Sequence, residues 1–180
     1  MSYTLAMPQL NRLHLPSASN KRQIENKAIW NDTRSADHAD FFTIGYSGRK
    51  IREIILALES HGVRTLVDIR YNPISMYRPE LSKNNLCGTL SESGIAYAHL
   101  PQLGVPRDIR AKAIETGTRE VIWEWYDDVV TTFFGGNLHF FLNSFEHPVA
   151  LMCTEIDPHE CHRHRLSLAL EEMGLKGFEI

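Results

Sequence analysis

The sequence predicts an α/β fold: a three-layer, mostly parallel sheet with helices on both faces, Rossmann-like, built as a single domain. Two observations carry this. From Phe41 onward, short apolar runs alternate with segments of helical periodicity, and glycines stand where the helical patterns stop, at Gly62, Gly94 and Gly174. Strands that alternate with helices are joined by crossovers, which makes neighbouring strands parallel and covers both sheet faces. A third observation sets the scale: 180 residues, 43% hydrophobic and 23% charged, describe one ordinary globular domain with enough chain for a full core.

Residues 1–40 are polar and broken by Pro8 and Pro16, with a short helical candidate at residues 21–30. They are read as an N-terminal extension or packed arm, and Trp30 favours packing. The α/β domain spans residues 41–180. It opens with a strand over residues 41–46 and the turn Ser47-Gly48-Arg49. Ile51, Ile54, Ile55 and Leu58 then fall at i, i+3, i+4 and i+7, one apolar helical stripe. Residues 63–69 return to a strand, and a helix over residues 82–93 leads into a strand over residues 95–100. Further helices are expected over residues 118–134, with Val121, Trp125, Val129 and Phe133 near one face, and over residues 138–145, separated by Gly135-Gly136-Asn137. Residues 149–154 form the next strand, residues 158–173 a helix, and residues 177–180 a short final strand.

Charge and cysteine content narrow the class. A formal net charge of -3 and a pI near 6.3 argue against a surface built throughout for nucleic acid, while leaving room for a local basic patch. Cys87, Cys153 and Cys161 are odd in number and unlike a secreted disulfide framework, which points to a reducing cytosol. The first 40 residues lack the apolar core of a secretory signal, and no stretch is long enough to cross a membrane. The expectation is a cytoplasmic protein.

Chemistry concentrates in the run ALMCTEIDPHECHRHR, Ala150 to Arg165. Asp157-Pro158-His159-Glu160 offers an N-cap acid, a proline at the first helical position and a glutamate at N3. Cys161, His162 and Arg163 are thereby expected in the early turns of the last helix, where amide dipoles and Arg163 and Arg165 would depress the Cys161 pKa. His162 lies four residues before Leu166 on the stripe of Leu166, Ala169, Leu170 and Met173, so it should face the sheet edge. Cys161, about 140° away, should face a flank. In parallel sheets the loops at the C-terminal strand ends collect the ligand site. That rule gathers Ser47, Arg49, Asp68, Arg70, His99, Cys153 and Glu155 with His162 and Arg163.

The motifs TIGYSGR (Thr43 to Arg49), LVDIR (Leu66 to Arg70), NPIS (Asn72 to Ser75), GIAYAHLPQLG (Gly94 to Gly104) and ALMCTEIDPHECHR (Ala150 to Arg163), in this order, resemble the bacterial and archaeal family called domain of unknown function 488. The resemblance covers nearly all of residues 41–180. It implies the fold and the cluster of site residues, and no activity.

Two classes of function follow. The first is an enzyme acting on a phosphate-bearing or other anionic small molecule, including a nucleotide or nucleic-acid end, at the C-terminal sheet edge. Arg70 and Arg163 would hold the anion with Ser47, Arg49 and His99, Asp68 and His162 would move protons beside Glu155, and Cys161 would be nucleophile or helper. Arg78 and Arg107 also fall near this edge. The second is a non-catalytic nucleotide or nucleic-acid binding module, using the same arginines with Tyr46, Tyr71, Tyr77 and Tyr97 as stacking surfaces. Blander roles stand beside these: Cys153 as buried packing, His162 as a core histidine bonded to a carbonyl, and Asp68 as the salt-bridge partner of Arg70 or Arg49. Cys153, Cys161 and His162, with Asp68 or His99 as a fourth, suit zinc chemically. Spacing argues against it, since C-x7-C-H lacks a knuckle and adjacent helical residues project about 100° apart. No metal ligand is therefore assigned and the cofactor is left open, with a metal-binding protein using this Cys/His cluster as a further alternative, and a Cys153–Cys161 redox pair lacks the C-x-x-C spacing. The partner is an anionic small molecule or nucleotide, with nucleic acid as the alternative and no membrane. The apolar faces and three tryptophans would serve a homo-oligomer as readily as a core.

Overall fold

Each apolar run becomes a strand because two adjacent faces must bury its alternating side chains. The computed structural model describes residues 38–131 and 142–180. In chain order the elements are β1 (Phe41–Gly45), α1 (Ile51–Ser60), β2 (Thr65–Asp68), α2 (Lys83–Glu92), β3 (Ala96–His99), α3 (Arg107–Thr116), α4 (Glu120–Trp125), β4 (Val149–Cys153), α5 (His162–Glu172) and β5 (Gly177–Glu179). Short 3-10 turns at Pro79–Leu81, Pro101–Leu103 and Pro158–Glu160 precede α2, α3 and α5, and α4 runs into a π-helical turn at Tyr126–Thr131.

The strands form a single α/β domain around one all-parallel five-stranded sheet in the order β3-β2-β4-β1-β5. All residues of β1, β2 and β4 are buried, as expected of central parallel strands covered on both sides. Phe42, Ile44, Leu66, Ala150 and Met152 meet Ile54, Ile55 and Leu58 of α1 and Leu86 and Leu90 of α2 on one face. Phe41, Val67, Ile69, Val149, Leu151 and Cys153 meet Leu166 and Leu170 of α5, with Tyr126 and Val130, on the other.

The division of helices between faces follows from handedness. The chain moves one way along the sheet from β1 through β2 to β3, then back to β4 and on to β5. Right-handed crossovers place the first two connections on one face and the last two on the opposite face. β4 therefore lies between β1 and β2, whose outgoing helices cover one face, while its own leads to the other. The crevice of such a switch opens at the carboxyl end of β4. Register puts Gly45 beside Cys153, Asp68 beside Met152 and His99 beside Asp68, so the strand ends converge there.

Several expectations are corrected. α3 was not foreseen, because RDIRAKAIET has only a thin apolar stripe; its stop, Gly117 in the left-handed region at φ 68°, is the signal that marks it. The helix expected over residues 118–134 is α4 plus the π-helical turn. The last helix begins four residues late, because Asp157 caps a separate 3-10 turn by accepting from His159 N at 2.8 Å. The helical candidate at residues 21–30, residues 132–134, the segment Gly135-Gly136-Asn137 and residues 138–141, the first half of the helix expected over residues 138–145, lie outside the described residues.

Candidate functional site

Cys161 is not inside the last helix. It is the residue before α5, extended at φ -127° and ψ 142°, so its side chain does not follow helical projection. This is why the expected splaying of Cys161 from His162 fails, and why Cys161 faces inward rather than to a flank. The Sγ atoms of Cys153 and Cys161 and a ring nitrogen of His162 all lie within 4.8 Å of one another, and all three residues are buried. The Cys153 sulfur is 3.7 Å from both ring nitrogens of His162. Nε2 of His162 also lies 3.3 Å from the Ile69 carbonyl at the end of β2, and the ring packs on Tyr126, whose hydroxyl donates to Leu103 O at 2.9 Å. Glu155 joins from the β4–α5 loop, accepting from Cys153 Sγ at 3.5 Å and from the Cys161 thiol.

The electrostatics reverse one expectation. Burial pushes the Cys161 pKa well above the ordinary thiol range, reinforced by Cys153 and only partly opposed by His162. Arg163 interacts with Cys161 as well as with Glu179, but burial outweighs any lowering by the helix terminus and the arginines. Burial would raise the Glu155 carboxyl, yet donation from Cys161, from its own backbone N–H and from Cys153, together with the charge of His162, carries it below its ordinary value.

A cavity of about 350 Å³ opens against this cluster. Glu155, His162 and Glu160 line it from the β4–α5 side, while Arg110, Arg119, Ile122 and Trp123 line it from α3, α4 and the link between them. Arg110 uses Nε to donate to Val105 O at 3.2 Å, and among the described residues its terminal nitrogens meet no acceptor. Arg119 pairs with Glu160 at 3.1 Å and donates to the Glu160 carbonyl. Neither arginine was singled out from the sequence. The missed helix α3 carries one, and the residues just past its stop carry the other.

The arginines and acid chosen from the sequence stand elsewhere. Asp68 is fully buried and saturated: Arg70 donates to it from Nε at 2.8 Å and from Nη2 at 2.5 Å, the Arg70 N–H donates at 3.0 Å, and Tyr97 Oη donates at 2.6 Å. Arg70 Nη2 also donates to Leu81 O, and its guanidinium lies over the Tyr46 ring. This is the salt-bridge role for Asp68, with Arg70 rather than Arg49. Burial would lower the Arg70 pKa, but its bonds and charge contact with Asp68 raise it. Burial and the Asp68 carboxylate likewise raise Tyr97. Arg163, 0% exposed, ties the site loop to β5 by donating to the carbonyls of Glu155 and Ile156 and pairing with Glu179 at 2.8 Å. Arg49 donates to Ile180 O at 2.9 Å, and His99 Nε2 lies 2.9 Å from Arg70 O. Ser47 is exposed, its N–H donating to Thr154 O. None of Ser47, Arg49, Asp68, Arg70, His99 and Arg163 lines the cavity, whereas Glu155 and His162 do.

Fold and site together define an all-parallel α/β protein with a buried Cys-Cys-His cluster and a carboxylate at the switch of strand order. The family model for the domain of unknown function DUF488 matches residues 50–170, and the chain belongs to this family. The matched span runs from before α1 into α5 and includes Cys153, Glu155, Cys161 and His162. No curated protein and no solved structure matches the chain. Among the described residues no helix is long and apolar enough to cross a membrane.

Proposed function

We propose that the protein is an enzyme acting on a small anionic molecule, with a phosphorylated metabolite or nucleotide as the leading class, bound in the cavity beside Glu155 and His162. The observation that carries this reading is the joining of two arginines to a histidine and a carboxylate in one cavity of about 350 Å³. That volume suits a small ligand rather than a polymer. The terminal nitrogens of Arg110 are placed for bidentate contact with phosphate or carboxylate, and Arg119 can turn from Glu160 to assist. Glu155 is positioned to take up or deliver a proton at the bound molecule, and His162 forms the floor beneath it. The reading moves anion binding from Arg70 and Arg163 to Arg110 and Arg119. It fits a reducing, cytoplasmic setting, since the three cysteines are free.

The non-catalytic nucleotide or nucleic-acid module draws on the loop after β2, where Tyr71 and Tyr77 are exposed; Tyr46 and Tyr97 contact Arg70 and Asp68 instead. The two readings separate in one experiment. Inorganic phosphate and a panel of mononucleotides are titrated calorimetrically, and release of phosphate or base from the panel is followed. Arg110→Ala is expected to weaken the ligand that binds by more than about tenfold, and Glu155→Gln to abolish turnover with affinity kept within a few fold. Binding that is indifferent to Arg110→Ala and Arg119→Ala, or lost only on truncating Tyr71 and Tyr77, would sink the cavity reading.

A further inference from the structure

We propose that Cys153 Sγ, Cys161 Sγ and His162 Nδ1 form a binding site for a divalent ion of the zinc class, with the fourth coordination position facing Glu155 and the cavity. The inference deepens the proposed function, and rests on it only for what the fourth position serves.

Three donors from two separate elements, the end of β4 and the start of α5, converge within 4.8 Å in the interior. In a tetrahedral site, zinc–sulfur and zinc–nitrogen bonds of ordinary length hold sulfur and nitrogen about 3.6 Å apart. The observed Cys153–His162 separation is 3.7 Å, close to that spacing, and Cys161 Sγ lies within 4.8 Å of both donors. The imidazole is also oriented for ligation. A carbonyl only accepts, so the Ile69 carbonyl at 3.3 Å from Nε2 holds the proton on that nitrogen and leaves Nδ1 unprotonated as the donor nitrogen. A ligating histidine whose second nitrogen donates to a backbone carbonyl is the usual outer-shell support of a metal site.

The donor set chooses the ion. Two sulfurs and one imidazole favour zinc or cobalt over magnesium or calcium, which take oxygen. Closed structural sites use four protein ligands, whereas three protein ligands with an open position mark sites that work on a bound molecule. Here the described donors stop at three, and the Glu155 carboxylate falls outside the mutually close set while still accepting from Cys153. His162 and Glu155 line the cavity and the two cysteines do not, which places the open position on the cavity side. On this assignment His162 contributes a lone pair, and Glu155 is the group left to handle a proton.

The test uses the full chain purified without chelator from zinc-supplemented cells. The expected result is one zinc per chain by elemental analysis. Replacement by cobalt should give a sulfur-to-cobalt charge-transfer absorption and the intense visible bands of a tetrahedral ion. Cys153→Ala, Cys161→Ser and His162→Ala should each lower metal affinity by more than about tenfold and alter that spectrum, while Cys87→Ser, at an exposed position away from the cluster, should change neither. Where a variant fails to fold, the wild-type cobalt spectrum alone decides: a protein that takes up no cobalt, or takes it up without charge-transfer absorption, overturns the site. Anion binding that depends on Arg110 in a protein without metal affinity would refute this inference and leave the proposed function standing. Metal binding without any anion affinity would do the reverse.

Discussion

Gly45 ends β1 where the β4–α5 loop crosses it, and replacing it with alanine tests how tightly that loop is fixed. A Cβ added at Gly45 would lie 2.8 Å from the Glu155 carbonyl carbon, 2.9 Å from Ile156 Cα, and closer still to the Glu155 carbonyl oxygen. Carbon atoms pack at about 3.5–4.0 Å, so the loop must retreat by at least about 0.7 Å. All the nearest atoms are backbone, and none can rotate away. The loop is pinned by Ser47 N–H donating to Thr154 O at 2.9 Å and by Arg163 bonded to the carbonyls of Glu155 and Ile156. Straining one or two of these bonds costs about 1 kcal/mol each, on top of about 1–3 kcal/mol for overpacking. Gly45→Ala should therefore destabilise by about 3 kcal/mol and displace Glu155 from the cavity. Gly88, in α2 with nothing within 4 Å of an added Cβ, is the control. Gly88→Ala should stabilise by about 0.5–1 kcal/mol, because alanine loses less backbone entropy in a helix. Urea unfolding with an unchanged m-value measures both. A loss below about 1 kcal/mol in Gly45→Ala, with the control behaving as stated, would refute the claim that the loop is held rigidly against β1.

Three other outcomes follow from the buried pairs and from His164. Arg163→Met should cost about 3 kcal/mol, since it leaves the Glu179 carboxylate and two carbonyls without their shared donor, and Arg163→Lys should not rescue it because one ammonium cannot reach all three; chemical denaturation of the pair of variants checks this. Tyr97→Phe removes the 2.6 Å donation to Asp68 and should cost about 1–2 kcal/mol while leaving ligand affinity in the cavity unchanged; a large affinity loss would show that Asp68 serves the site after all. Burial, then the positive groups His159, Arg165 and Arg163, with Asp157 opposing, lower the His164 pKa to about 4. The unfolded chain thus binds this proton more tightly, so stability is full above about pH 7 and falls as pH drops from about 6.5 towards 4, by at most about 3 kcal/mol from this residue. Urea midpoints at pH 7 and pH 4.5 should differ less in His164→Gln than in the native chain, and an equal difference in both would remove His164 as the cause.

Strands, helix α1 and the α/β class were legible because they rest on local periodicity and on glycine stops, which any crossover fold must display. The concentration of chemistry at the end of β4 was legible for the same reason: an apolar run followed by Asp-Pro marks a strand end and a helical start in any context. Helix α3 was not, because a helix lying at the rim buries little; of its residues only Ala113 is buried, and its periodic signal is correspondingly weak.

The site residues divide along a different line. The sequence by itself determined which side chains end near the carboxyl edge of the sheet, because strand direction and length fix that edge. Only the tertiary structure decided which of them line the cavity. Asp68 and Arg70 are two residues apart on one strand end and close on each other, whereas Arg163 reaches Glu179 because β5 lies beside β1, a neighbour relation that parallel crossovers of similar length do not dictate. Cys161 turned inward because one residue of extended backbone separates the 3-10 turn from α5, and a break of that size lies below the resolution of hydrophobic pattern. Charge and sulfur were written in the sequence; whether each met a buried partner, a second sulfur or an open cavity depended on strand order, which long-range packing sets.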